Sequence, residues 1–225
     1  MRVLLADDHA IVRQGVRELL EEGGHQVVAE AVDGQEAVRM ARELSPELCI
    51  LDLSMPRLNG LDAAHEIRQT APAPKIILLT MYESRSYVLR ALKAGAKGYV
   101  LKTQAAEDLL RAIVEVSRGH IYLSPGVAPL LVDAYLEGVP GAVDPLTARE
   151  RQMLQLIAEG NSTKQAARVL NISFKTAESH RNHIMRKLDI HEVAGLTRYA
   201  IHTGLVHLSD PVSGIAGAQS TQRGE

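Results

Sequence analysis

The stretch LCILDLSMP, residues 48–56, decides the fold. Four apolar residues in a row end on a carboxylate, Asp52, and a proline-bearing loop follows. Comparable runs lie on either side, at Val3–Ala6, Gln26–Ala31, Ile76–Leu79 and Tyr99–Leu101. Four of the five are apolar nearly throughout rather than alternating, which is how strands buried on both faces read. Between them lie helical spacings such as Ile11/Gly15/Leu19 with Val12/Val16/Leu20, and Leu109/Ile113/Val116. Strand–helix alternation repeated five times predicts an α/β domain with a doubly wound, five-stranded parallel sheet. Right-handed crossovers then place helices on both of its faces.

This pattern ends near residue 119, and 225 residues leave room for a second domain. Residues 120–145 are broken by Ser124-Pro125, Pro129, Gly138, Pro140-Gly141 and Asp144-Pro145, and read as a linker with one short helix over Val127–Leu136. From Leu146 to residue 208 every spacing is helical, and 209–225 reads as a frayed tail. The two parts differ in charge. Residues 1–120 carry 15 basic and 17 acidic side chains, whereas 144–208 carry 9 and 6 with five of the nine histidines. A basic back half points toward nucleic acid. The longest apolar runs are far shorter than the ~20 residues of a membrane span. Two acids within the first eight residues argue against a signal peptide. The single cysteine, Cys49, excludes an internal disulfide framework, suits a cytoplasmic setting and reads as an inert core thiol.

Ligands of open α/β sheets bind beyond the carboxyl ends of the strands. The polar residues there are Asp7 and Asp8 after the first run, Asp52 after the third, Thr80 after the fourth and Lys102 after the fifth. Singly, each is explained by capping or solvation; five at four strand ends are not. Crowded carboxylates suit a hard divalent cation such as Mg²⁺. Asp52 offers a nucleophilic oxygen, Lys102 a charge and Thr80 a donor for a transferring phosphoryl group. His9 reads as part of the loop that opens the first helix.

The blocks VLLADDHAIVRQGV, ILDLSMPRLNGLD, IILLTMY and AGAKGYVLK, in that order and spacing, resemble the flavodoxin-like receiver domain of bacterial response regulators over residues 1–119. The resemblance implies that Asp52 is the phospho-acceptor for a sensor histidine kinase. Asp8, Asp52 and the Ser54 carbonyl would hold Mg²⁺ directly, with Asp7 acting through water. Thr80 and Lys102 would contact the phosphoryl oxygens, and Tyr99 would be the switch aromatic, turning inward on phosphorylation. Many receivers carry a cis proline after this lysine; Thr103 stands here, which leaves the shape of that loop open.

In the second part, Thr147/Glu150 and Ser162/Gln165 are capping boxes, and Ser173 caps a third helix running to about Leu188. A fourth helix spans about 192–202. The short second helix, the tight turn Asn171-Ile172-Ser173 and the longer third helix form a helix-turn-helix, so this part is an all-α, four-helix domain. On the third helix, Ala177, Ile184 and Leu188 fall on one side. Lys175, Glu178, Ser179, Asn182 and Arg186 fall on the other, within ~100°. Lys, Asn and Glu can address base edges, and Arg181 and Lys187 suit phosphates.

The run LTARERQMLQLIAEGNSTKQAARVLNISFKTAESHRNHIMRKLDI resembles the LuxR-type helix-turn-helix over 146–208, and the two domains together resemble the NarL/FixJ response regulators. The resemblance adds Thr176 to the DNA-binding set and implies a double-stranded operator, the transcription machinery and a homodimer as partners. It also implies a receiver that covers the recognition helix until phosphorylated. Val193, Leu196, Ala200 and Ile201 of the fourth helix suit either a dimer contact on DNA or packing against the other three helices. Such a chain is a regulator rather than an enzyme, with only self-directed phosphotransfer and autodephosphorylation. The alternatives are an α/β hydrolase or phosphatase with an appended helical domain, which would need a tuned acid or base beside the carboxylates and for which no G-x-S-x-G elbow appears, and a regulator controlled by a partner or ligand instead of phosphate.

Overall fold

A computed structural model of the chain describes residues 1–136 and 145–206. The first part is a parallel sheet in the order β2-β1-β3-β4-β5-β6. Its strands are β1 Arg2–Ala6, β2 Gln26–Ala31, β3 Leu48–Asp52, β4 Lys75–Thr80, β5 Gly98–Leu101 and β6 Tyr122–Leu123. Five helices alternate with the first five strands: α1 Ala10–Glu22, α2 Gly34–Leu44, α3 Gly60–Ile67, α4 Arg85–Ala94 and α5 Ala105–Ser117. Side-chain alternation along the strands divides the interior into two layers. Leu4, Cys49, Leu51 and Leu78 pack with α2, α3 and α4 on one face. Leu5, Ile50, Ile77 and Val100 pack with α1 and α5 on the other. Both faces are covered, as the unbroken apolar runs require.

The sheet has six strands, not five. The segment assigned to the linker begins with β6, which pairs Tyr122 and Leu123 with Gly98 and Tyr99 and covers the edge of β5. Ser124 fastens it: its hydroxyl accepts from the Leu101 N–H at 3.1 Å and donates to Asp108 at 2.6 Å. Two residues are too few for a period to show in the sequence. The same segment then forms α6, Ala128–Leu136, whose Leu130 and Leu131 pack against the α2–α4 layer.

The second part comprises α7 Ala148–Ala158, α8 Thr163–Val169, α9 Phe174–Leu188 and α10 Val193–His202. Both capping boxes form, and Ser173 accepts from the Thr176 N–H at 3.1 Å. Between α8 and α9, Asn171 turns the chain with φ at +52°, a conformation that asparagine tolerates. Met153, Leu154, Ala166, Ala177, Ile184, Leu196 and Ala200 share one core. The expected tail, 209–225, lies outside the described residues.

One glycine bears directly on the strand ends. A Cβ on Gly60 would sit 2.1 Å from the backbone oxygen of Asp52, because the loop 53–59 folds back and Gly60 N–H donates to the Leu53 carbonyl at 2.9 Å. Gly60→Ala is therefore expected to push α3 away from the end of β3 and lower stability by about 1–3 kcal/mol, measured by urea unfolding.

Candidate functional site

The strand ends gather the expected group. Asp52 and Thr80 are the last residues of β3 and β4, Lys102 follows β5, and Asp7 follows β1. Lys102 Nζ lies 2.7 Å from Asp7 Oδ2 and 2.9 Å from Asp52 Oδ2, with both carboxylates buried. Burial pushes the Asp52 carboxyl up to about 6; the Lys102 charge and the Ser54 N–H pull it back, and the Asp7 carboxylate adds to the rise. Burial works against the Lys102 charge, yet the two carboxylates outweigh it and the ammonium is held above its ordinary value.

Asp7, Asp8, His9 and Asp52 offer ligand atoms within 4.8 Å of one another. His9, at the N-cap of α1, stands with its ring Nδ1 2.8 Å from Asp8, and its backbone N–H donates to the Asp7 carboxylate at 2.8 Å. It is thus part of the acidic cluster as well as of the loop. Three carboxylates in one cup fit a hard, oxygen-preferring cation. Thr80 is fully buried and its hydroxyl accepts from the Tyr82 N–H at 3.1 Å.

Tyr99 stands with its ring inward, and its hydroxyl donates to the Tyr82 carbonyl at 2.8 Å. Burial raises its phenol above the ordinary value. The Lys102–Thr103 bond is trans; among the described residues the one cis bond is Ala71–Pro72. Cys49 is fully buried, and burial pushes its thiol up to about 12, so it stays protonated and inert.

On α9 the outer face forms as read: Lys175, Thr176, Glu178, Ser179, Asn182 and Arg186 are exposed, while Ala177 and Ile184 are buried. Two flanking cations are engaged within the domain. Lys187 Nζ sits 2.6 Å from Glu150, the acid of the first capping box, and Arg181 donates to Thr163 at 3.4 Å. Lys187 is therefore a structural ion pair before it is a phosphate contact. In α10, Leu196 and Ala200 belong to the domain core, so of the dimer-contact candidates Val193 alone is largely exposed.

The receiver does not cover the recognition helix. The helical domain docks instead through α7 on the loop that follows Asp52. The Gln155 amide donates to the Met55 carbonyl at 3.0 Å, and its oxygen accepts from the Asn59 backbone N–H at 3.1 Å. Arg151 meets Asp62 at 2.8 Å, Gln152 donates to Glu66 at 2.9 Å, and the Arg57 N–H donates to Glu159 at 3.3 Å. The end of α10 rests on α4, where Gly204 leaves no space from Tyr87. As a result Gln155, Glu159, Leu205 and Val206 wall the same cavity, about 420 Å³, as Asp8, Asp52 and Lys102. The hydrogen-bonded partners lie 86 to 102 residues apart, and no local signal in the sequence marks them.

Residues 3–114 match the family of response regulator receiver domains, and residues 144–200 match the luxR family of bacterial regulatory proteins. The chain is a response regulator of the NarL/FixJ type. It is 38% identical over 207 residues to the transcriptional regulatory protein MctR of Rhizobium johnstonii, covering 92% of this chain and 95% of that one. The oxygen regulatory protein NreC of Staphylococcus carnosus is 38% identical over 215 residues, covering 92% and 99%. Among solved structures, RcsB of Salmonella enterica serovar Typhimurium, bound to promoter rprA with the phosphomimetic BeF3⁻, superposes with a TM-score of 0.62 at 31% identity. That match covers 88% of this chain and 97% of RcsB. The response regulator is thus a transcription regulator with a receiver and a LuxR-type DNA-binding domain, not a classical enzyme. Among the described residues no helix is long and apolar enough to cross a membrane.

The electrostatics of the pocket give a pH test. An acid whose folded-state value, about 6, exceeds its ordinary 3.8 holds its proton more tightly when folded. Its contribution is most favourable below that ordinary value and is lost as pH rises through the folded one. In chelator, stability should fall between pH 4 and 7 by up to about 3 kcal/mol. Asp52→Asn should remove most of that slope and be more stable than the native protein above pH 6, measured by urea unfolding across the range.

Proposed function

We propose that Asp52 accepts a phosphoryl group from the phosphohistidine of a sensor histidine kinase and that the response regulator thereby controls its own assembly on DNA. The observation that carries this is Lys102 bridging Asp7 and Asp52 in a cavity shared by both domains. The Asp52 carboxylate forms the new O–P bond as the P–N bond to the kinase imidazole breaks, and the imidazole nitrogen keeps the electron pair and takes a proton. Lys102 is positioned to pair with a phosphoryl oxygen, and Thr80 to donate to another. Asp7, Asp8, Asp52 and the Ser54 carbonyl would hold Mg²⁺, which supplies charge neutralisation at the phosphoryl oxygens. Hydrolysis of the acyl phosphate by water would reset the switch, without any other substrate.

Lys175, Thr176, Glu178, Ser179 and Asn182 would read base edges in the major groove of a double-stranded operator, with Arg181, Arg186 and, once freed from Glu150, Lys187 on phosphates. Residues 1–119 would then be the phospho-acceptor unit, 120–145 the connection and 146–208 the reading unit, acting in the cytoplasm with the transcription machinery. With the reading face open in the docked arrangement, control would come from the docking rather than from masking that face. Docking through α7 would fix each reading helix to its own receiver, so that two copies cannot take the spacing of two half-sites. Phosphorylation would shift the loop from Ser54 to Asn59, free α7 and favour a homodimer on DNA.

Three experiments test these roles. With Mg²⁺ and a small phosphodonor, intact mass should rise by one phosphoryl group, and Asp52→Asn should abolish the gain; undiminished transfer in that variant contradicts the assignment. On DNA, Lys175→Ala and Asn182→Ala should each lower specific affinity by ~1–3 kcal/mol while sparing random duplex. Equal losses on both would remove them from the reading face. The double variant Arg151→Ala/Gln155→Ala should bind a two-half-site operator without phosphorylation about as tightly as the phosphorylated native protein. Unchanged weak binding would contradict release of α7 as the control step.

A further inference from the structure

The chain has a single phenylalanine, Phe174, and it is not in a core. It is the first residue of α9, directly after the N-cap Ser173, and is 53% exposed. The neighbouring Ile172 packs against the domain core, and Ala177 and Ile184 of the same helix are fully buried. An apolar position was thus available nearby, yet the ring stays outside. At about 100° per residue, Phe174, Glu178 and Asn182 stand on one ridge at i, i+4 and i+8, roughly 6 Å apart along the axis. Beside this ridge stand Lys175 and Arg186, both exposed.

We infer that Phe174 is a specificity-determining residue that recognises the C5-methyl group of a thymine in the operator. This rests on α9 being the helix that enters the major groove. The first residues of a recognition helix are those that meet base edges. A phenyl ring has no hydrogen-bond donor or acceptor, so the one feature of the groove floor it can select is the methyl group carried by thymine alone. The basic side chains of α9 bring the ring to the groove by charge, and burial of methyl against ring then favours thymine over cytosine at that position. Glu178, one turn further on, can accept from a cytosine amino group, so the ridge would read an apolar and a polar edge within about two base pairs.

The test needs only the full-length response regulator. A preferred duplex is selected from a random library with Mg²⁺ and beryllofluoride present, and each of its thymines is replaced in turn by deoxyuridine, which removes only the methyl. The native protein should lose about three- to tenfold in affinity at one thymine per half-site. Phe174→Ala should bind the thymine and deoxyuridine duplexes equally at that position, and Phe174→Leu should keep part of the discrimination. The thermal midpoint of Phe174→Ala should match the native protein, since the ring supports no core. A scan with no methyl-sensitive position overturns the inference, as does the same loss persisting in Phe174→Ala. Failure of the underlying reading looks different: Lys175→Ala and Asn182→Ala would then select the same duplex as the native protein.

Discussion

Two carboxylates buried at the ends of neighbouring strands share one lysine. Asp7 and Asp52 cannot both stay ionised out of water without a cation between them, and Lys102 provides it at 2.7 and 2.9 Å. The rest of the receiver serves that arrangement. Buried strands fix the three residues in register, and the close approach of Gly60 folds the loop after Asp52 back onto the strand end. The arrangement is also poised. Under the proposed reading, a phosphoryl group on Asp52 would compete with Asp7 for Lys102, and the loop next to Asp52 would carry the disturbance outward.

That loop is where the two domains meet. Gln155 is nearly inaccessible to solvent and joins the Met55 carbonyl to the Asn59 backbone N–H, and its oxygen also accepts from the Asn59 side-chain amide at 3.2 Å, so it holds the loop by backbone and side chain together. Around it, Arg151 and Asp62 form a largely buried ion pair. A pair of this kind gives more to the choice of docking geometry than to net stability, because desolvation offsets much of the attraction. An interface built mainly from such polar contacts suits a contact that forms and releases. The reading face of α9 is exposed in this docked arrangement, and the proposed control step is accordingly the freeing of a domain rather than the unmasking of a helix.

The parts legible in the sequence are those written in local periodicity. Unbroken apolar runs located the strands, and the polar residue after each run located Asp52, Thr80 and Lys102 to the residue. Capping boxes located α7 and α8 with the same accuracy, because a Thr or Ser three residues before a Glu or Gln satisfies a local geometric need. What was not legible depends on distant partners. Strand β6 is defined by pairing with β5, and its two residues have no period of their own. Lys187 reads as a free cation until the fold brings Glu150 to it. Leu196 and Ala200 suited a dimer contact or a core equally well, and only the packing of α10 against α7 assigns them to the core. Tyr99 shows the same limit: the resemblance implied a switch, and the Tyr82 carbonyl that its hydroxyl meets is not marked in the sequence.

The central claim is that phosphorylation at Asp52 releases α7 from the receiver. Because Cys49 is buried, cysteines introduced at exposed Glu22 and His183 can be spin-labelled selectively, and the distance between α1 and α9 measured by pulsed electron resonance. The docked protein should give one narrow distance distribution, and Mg²⁺ with beryllofluoride should broaden and shift it, as Arg151→Ala/Gln155→Ala should without either. A distribution that stays narrow and unmoved on adding beryllofluoride, in a protein shown to bind it, would contradict the account.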